Sequence, residues 1–395
     1  MQVAPYNLEA ARANLKVIED WTYLNTGTVG VMAEPVLDRL TAYIAEYERG
    51  GHPAQALAID HTERGRSALA QLVCADSHDI ALNRNATDGI NWIAAGFALN
   101  HGDEVITSTE EHPAMVLPWL AACQRAGARL RFVDLSHDAD QLGVNIRAAL
   151  TPRTRLIAMS QVSCETGARI PVATIRDVVG PNVAILIDGA QSVGQFPVDI
   201  PSLNADFVIG NGHKWLCGPK GTGFAWFNPD SLTLAPPVYF ASDAVDPHWS
   251  RDIYQLDPTP PLALAGNAQR FENGTRAWHL HGGLADAIEY QAGLGWDAIE
   301  SHMAEMSSKM KSALAEIGGV TVHTPERWED SSGLVTFSLE GFEGVPLSRV
   351  LWDEYRIVQR RVERPSAVRV SAAYFSSDDD IGRLVDAVRA LALAG

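Results

Sequence analysis

Along this 395-residue chain the period of hydrophobic and polar positions changes several times, and each change marks a new kind of element. Residues 9–20 have the pattern of a short amphipathic helix leading into the strand-like run 21–24. That run ends at Asn25-Thr26-Gly27-Thr28-Val29-Gly30, a turn that can line a ligand site with Asn25 at its mouth, although most such turns are only turns. Residues 35–47 place Val36, Leu40, Tyr43, Ile44 and Tyr47 on one helical face, and 61–73 predict a further helix. From residue 80 short apolar runs alternate with helical stretches. Strands are expected at 80–83, 104–108, 130–135, 156–159, 183–187 and 207–209, with helices at 88–99, 114–126, 145–150 and 172–179 between them. Such alternation predicts βαβ units and a mostly parallel sheet covered on both faces. Residues 229–262 read as a long irregular segment rich in proline and aspartate. A long helix follows at 280–317, broken near 293–295. The tail predicts strands near 320–323, 334–339 and 368–370 and helices at 346–355 and 379–393, a smaller α+β unit.

In parallel sheets of this kind ligands bind beyond the carboxyl ends of the strands. The residues found there are polar and reactive. Arg84-Asn85-Ala86-Thr87-Asp88-Gly89 follows the first strand, Glu110-Glu111-His112 the second, and Gln161, Ser163, Cys164 and Glu165 the fourth. Asp188-Gly189-Ala190-Gln191 follows the fifth, and Gly210-Asn211-Gly212-His213-Lys214 the sixth. This clustering on one sheet edge is the strongest argument from sequence for an active site.

Composition narrows the partners. The chain is 46% hydrophobic with a net charge of −17, which disfavours nucleic acid and anionic membranes and favours small-molecule or protein partners. The four cysteines, at 74, 123, 164 and 217, show neither zinc spacing nor a CxxC pair, so free thiols in a reducing cytoplasm are expected. No apolar run approaches the roughly 20 residues that span a bilayer.

Each candidate has a plain structural reading beside its chemical one. Thr87 opens a helix, where free N–H groups form a phosphate cradle, but it also suits simple capping. Asp188 ends the most apolar strand, so its carboxylate needs a cationic partner such as a protonated heteroaromatic nitrogen; Gln191 can reach the same ligand. His112 precedes Pro113 and can stack on a planar ring, shuttle protons or serve only the helix start. Lys214 can form a Schiff base once its pKa is lowered, or sit on the surface of a loop. Thr275 and Arg276 lie in Phe271-Glu272-Asn273-Gly274-Thr275-Arg276, a weak anion signal. Arg369, in an apolar strand-like run, needs a carboxylate from the protein or from a substrate. Arg360, Arg361 and Arg364 compete with it, although a solvated basic cluster is their commoner meaning. The ordered set of phosphate cradle, ring-stacking histidine, aspartate, glutamine and lysine is what pyridoxal phosphate (PLP) requires.

The chain resembles the fold-type I PLP enzymes of the class V aminotransferase group, which holds cysteine desulfurases and isopenicillin N epimerase-like proteins. The matching segments are Asn85-Ala86-Thr87, Glu111-His112, Asp188-Gly189-Ala190-Gln191, Gly212-His213-Lys214, Gly218-Pro219, Gly221-Thr222-Gly223, Phe271-Glu272-Asn273-Gly274-Thr275 and Val368-Arg369-Val370-Ser371. The resemblance implies an α/β fold with a seven-stranded-type sheet in a large domain, residues 19–290, and a small α+β domain, residues 291–395, against which residues 1–18 pack. It implies that Lys214 carries PLP, Asp188 pairs with the pyridine nitrogen, Gln191 with the ring hydroxyl, and His112 stacks on the ring. Ala86, Thr87, Asn211 and His213 would hold the phosphate, with Thr275 reaching over from a second subunit. That last role implies a homodimer with shared active sites. Arg369 would grip a substrate carboxylate, with Cys164 and Asn25 nearby. Asn211 stands where desulfurases usually have a serine, and Cys164 where the family often has an asparagine. Residues 356–368 contain no cysteine, where desulfurases carry the persulfide-forming one, which disfavours sulfur transfer to a partner. The expected activity is a reaction of an amino acid or amine through external aldimine and quinonoid stages. Transamination, C–S or other β-elimination, epimerisation and reaction with dioxygen all remain open. A non-catalytic binding protein of the same fold is the competing class, against which intact Lys214 and Asp188 argue.

Overall fold

The computed structural model describes residues 6–246, 256 and 261–394. A short strand, β1 (Thr22–Tyr23), precedes the main sheet. That sheet contains β2 (Ile80–Asn83), β3 (Glu104–Ser108), β4 (Arg129–Val133), β5 (Thr154–Ser160), β6 (Ala184–Asp188), β7 (Phe207–Asn211) and β8 (Gly223–Phe227). Their order across the seven-stranded sheet is β2-β8-β7-β6-β5-β3-β4. β8 alone runs against its neighbours β2 and β7, and the remaining pairs are parallel. Alternation within each strand accounts for the covering layers. Ile157 and Met159 enter the core cluster on one face, Leu156 and Ala158 the cluster on the other. Both faces are therefore apolar, as a parallel sheet between helices requires.

The later part of the chain supplies β9 (Val320–Val322), β10 (Leu334–Leu339), β11 (Ile357–Val358), β12 (Arg360–Val362) and β13 (Ala367–Ser371). Four of these form an antiparallel sheet in the order β12-β13-β10-β9, with its own core around Phe337, Leu351 and Val370. β11 instead pairs parallel with β1, which joins the beginning of the chain to this unit. Tyr6 and Arg12 also reach it: the Tyr6 hydroxyl donates to the Tyr374 carbonyl, and Arg12 pairs with Asp380 at 2.6 Å.

Sequence periodicity and structure differ in places. The expected helix at 9–20 is two short helices, Leu8–Arg12 and Val17–Asp20. The long helix breaks at Gly295, whose φ of 91° ends Trp278–Leu294 and precedes Trp296–Ala315. The irregular segment 229–262 lies partly outside the described residues. Its described part holds the 3₁₀ turns Pro229–Ser231 and Ser242–Ala244 and an isolated bridge from Val245 to Leu264. No helix among the described residues is long and apolar enough to cross a membrane.

Candidate active site

A cavity of about 280 Å³ opens at the carboxyl edge of the main sheet. The strand register builds its floor. Ser160 at the end of β5 pairs with Asp188 at the end of β6, and Asp188 pairs with Ile209 of β7. Thr87, His112, Cys164, Asp188, Gln191, Asn211, His213, Lys214 and Arg369 all line this one cavity.

Lys214 is not a surface lysine. Burial pushes its amine down to about 8, with Arg369 and Arg360 acting in the same direction and Asp188 and Cys164 opposing. The turn that carries it is braced from the start of the chain: the Gly30 N–H donates to the His213 carbonyl at 2.7 Å. A Cβ at Gly30 would collide with the Lys214 carbonyl, so only glycine permits this approach.

Asp188 is buried and its carboxyl is raised by that burial, with Lys214 pulling it down. One oxygen accepts the Ala190 N–H at 2.8 Å. Gln191 is held at both ends: its amide donates to the Gly27 carbonyl at 2.8 Å, and its oxygen accepts from the Trp215 indole at 2.9 Å. One amide hydrogen of Gln191 is left for a ligand.

The helix after β2 corrects one reading. Asn85, not Thr87, is its N-cap, with Asn85 Oδ1 accepting the Asp88 N–H at 3.0 Å. Ala86 lines the cavity, but its N–H already donates to Asn211 Oδ1 at 2.8 Å. Asn211 therefore offers its NH₂ to the cavity and Ala86 no donor. Thr87 keeps its hydroxyl and its N–H at the positive end of the helix. Across from this cap, His213 Nδ1 is buried without any partner.

His112 holds two offices. Its Nδ1 accepts the Ala114 N–H at 3.1 Å and caps the helix Pro113–Ala126, while the ring lines the cavity. Burial and the nearby cations Lys214, Arg360 and Arg369 push it down to about 4, so the ring is neutral, with its proton on Nε2. Glu111, next to it, is buried beneath the wall. It accepts from Ser108 Oγ at 2.7 Å and from both the N–H and the hydroxyl of Ser160, and burial raises its carboxyl to about 7.

Arg369 is 2% exposed and has no carboxylate partner among the described residues. It donates to the Cys164 carbonyl and, at 3.3 Å, to Thr28 Oγ1, while its Nε has no partner. Arg360 lines the same cavity and is the direct cross-strand neighbour of Arg369. Reading the sequence left Arg360 as one of three competitors. The signal lay in the hairpin, since a tight turn between β12 and β13 sets the two arginines opposite each other. Burial pushes the Cys164 thiol up to about 12, which makes it a poor nucleophile.

Two expectations fall outside the cavity. Gly27 and Thr28 form its wall where Asn25 was expected, and Asn25 Oδ1 is buried without a partner. Thr275 lines a separate space of about 1080 Å³, which shares Asn85 and Thr87 with the first. Within one chain Thr275 does not reach the Lys214 cavity. Among the described residues no cluster of metal-ligating side chains occurs.

A half-buried lysine near a buried aspartate, with the free Nδ1 of His213 across from a helix start, at the carboxyl edge of a sheet of this topology, offers the groups that PLP requires. The chain belongs to the Aminotransferase class-V family, whose profile matches residues 23–384. It is 30% identical to isopenicillin N epimerase from Streptomyces clavuligerus, over 97% of this chain and 98% of that protein. It is also 30% identical to a cysteine desulfurase from Dickeya dadantii, over 97% of this chain and 96% of that one. Among solved structures, the cystine C–S lyase C-DES in complex with cysteine persulfide superposes with a TM-score of 0.85 at 25% identity, covering 94% of this chain and 98% of C-DES. In another structure of C-DES, glycine is covalently linked to the PLP cofactor. The cofactor of this family is PLP, and the chain is an enzyme of that class.

Proposed function

We propose that this enzyme transforms an amino acid at its Cα, by a reaction of the aminotransferase, C–S or β-lyase, or epimerase type. One observation carries the substrate class. Arg369 is a buried guanidinium without a carboxylate partner in the cavity of Lys214, and a substrate carboxylate supplies that partner. A simple amine would leave it unpaired.

Bound PLP supplies an electron-accepting ring that stabilises negative charge at the substrate Cα. The chain supplies the rest. His213 Nδ1, Thr87 and the Asn211 NH₂ hold the phosphate, and Asp188 keeps a proton on the pyridine nitrogen. Lys214, with its amine near 8, binds the cofactor and then takes or returns a proton at Cα. The neutral His112 ring covers one side of the cofactor, and Gln191 donates its remaining hydrogen to the ring hydroxyl. The partner subunit's Thr275 closes the phosphate end in a homodimer with shared sites, in keeping with the place of Thr275 outside its own chain's cavity. A sulfur relay is not proposed, because residues 356–368 hold no cysteine and the Cys164 thiol is held protonated.

The test is mass spectrometry of products from a panel of amino acids, with and without dioxygen and a keto-acid acceptor, beside labelled-solvent exchange at Cα. Products or exchange lost in Lys214→Ala support the reading. A protein that takes up no PLP and changes no amino acid would sink it.

A further inference from the structure

The loop after β5 carries out a task that the cofactor does not require. Residues 164–167 present four consecutive main-chain carbonyls, and each accepts a bond from a side chain of the C-terminal unit. Cys164 O accepts from Arg369, Glu165 O from Thr336 Oγ1 at 2.6 Å, Thr166 O from Thr324 Oγ1 at 2.6 Å, and Gly167 O from Ser332 Oγ at 2.9 Å. The loop is itself fixed to the main sheet through Glu110, which accepts from Ser163 Oγ at 2.5 Å and Thr166 Oγ1 at 2.9 Å.

The antiparallel register places Arg360, Arg369 and Thr336 in one row across β12, β13 and β10, and residues directly opposite share a face. Two guanidiniums at opposed positions repel each other, so the hairpin tends to spread where nothing holds it. Ser366 in the turn is tied to Gly344 and Glu343, and a second hold comes from the loop. The Glu165 carboxylate accepts the N–H groups of Glu363 and Arg364, at 3.0 and 3.2 Å, in the turn between β12 and β13. Its charge also acts on Arg369.

We propose that Glu165 is a positioning residue, a latch that holds the β12–β13 hairpin so that Arg360 and Arg369 stand over the cavity as a pair ready for a substrate carboxylate. The proposal rests on the reading of Arg369 given above. Glu165 does not line the cavity. It lowers the cost of binding by fixing the two arginines beforehand. Its loss weakens substrate binding while leaving the proton transfers at Lys214 in place.

The hairpin itself provides a readout that needs no turnover. Arg361 lies exposed on β12, and trypsin cuts after it only when the hairpin opens. In the PLP-loaded enzyme, Glu165→Ala is expected to raise the cleavage rate after Arg361 about tenfold, with Glu165→Gln, which keeps an acceptor oxygen, restoring most of the protection. Glu165→Asp, which withdraws the carboxylate, falls between them and serves if the alanine variant does not fold. On the amino acid turned over fastest, KM rises about tenfold while kcat stays within about threefold. Cleavage of Glu165→Ala and Glu165→Asp at the wild-type rate overturns the latch, as does a fall in kcat at unchanged KM. If no amino acid is turned over, the proposed function fails, and the tryptic rates still decide the latch.

Discussion

One wall of the cavity holds His213, Thr87 and Asn211, and another holds Arg369 and Arg360. Both offer donors to an anion, but they are assembled differently. The first is made where strands of one sheet end, with Asn211 closing β7 and Thr87 and His213 following their strands by a few residues. Its polar groups are fixed by local bonds such as Ala86 N–H to Asn211 Oδ1. The second belongs to a separate antiparallel sheet, which meets the main sheet through the loop at 163–169, through Gln195, which accepts the Gly333 N–H at 2.7 Å, and through a shared apolar core that includes Leu334 and Phe375. The first wall is thus set by the βα repeat, and the second by docking of one unit on another. The cofactor side should tolerate changes at the docking surface, and the substrate side should not.

Substitutions can break that comparison. The largest effect is expected from Asp188→Asn, which removes a buried charge facing a cation. Breaking such a pair costs about 3–5 kcal/mol, or about 10²–10⁴-fold in kcat/KM, and the measurement is steady-state kinetics on the PLP-loaded protein. Arg369→Leu should cost about 2–5 kcal/mol in substrate binding while PLP affinity, followed by absorbance titration at a pH well above the Lys214 midpoint, stays unchanged. Loss of PLP affinity in that variant would mean that the two walls are not independent. His213→Ala should show the converse, weakening PLP by about 1.5–3 kcal/mol, the worth of a hydrogen bond to a charged group.

A pH titration sharpens the comparison with the smallest expected effect. Cofactor uptake needs the neutral Lys214 amine. Burial lowers that pKa from the ordinary lysine range to about 8, so the neutral form dominates above about pH 8. Uptake of PLP by cofactor-free protein should therefore rise with pH to a plateau with a midpoint near 8. Arg369→Leu removes one of the positive neighbours of Lys214 and should move that midpoint up by less than the burial effect. A midpoint near 10 in the wild type would show that Lys214 is not desolvated.

Much of the first wall was legible from sequence. The strands at 80–83 and 104–108 lie on their apolar runs, Asp188 closes its strand, and His213 and Lys214 come shortly after theirs. Placing a side chain beyond a strand end needs only the strand. Finer assignments were not legible. The capping role went to Asn85 instead of Thr87, because the two residues compete for the same turn and only the backbone geometry chooses. Asn25 sits behind Gly27 and Thr28, a matter of how an irregular turn is seated against Gln191 and Ser371.

The sequence by itself determined the alternation of strands and helices, the reactive residues at their ends and the ordered set that points to PLP. Each is a local property, set by periodicity and by distance along the chain. Tertiary structure decided what depends on contacts between distant segments. It depressed the Lys214 amine by burial, made Arg360 the cross-strand neighbour of Arg369, and placed Thr275 outside the Lys214 cavity. It also turned Glu165, one polar residue among several after β5, into the carboxylate that holds the Glu363–Arg364 turn. Burial, and the placing of the hairpin over the cavity, arise only when the two sheets meet, which is why no stretch of sequence records them.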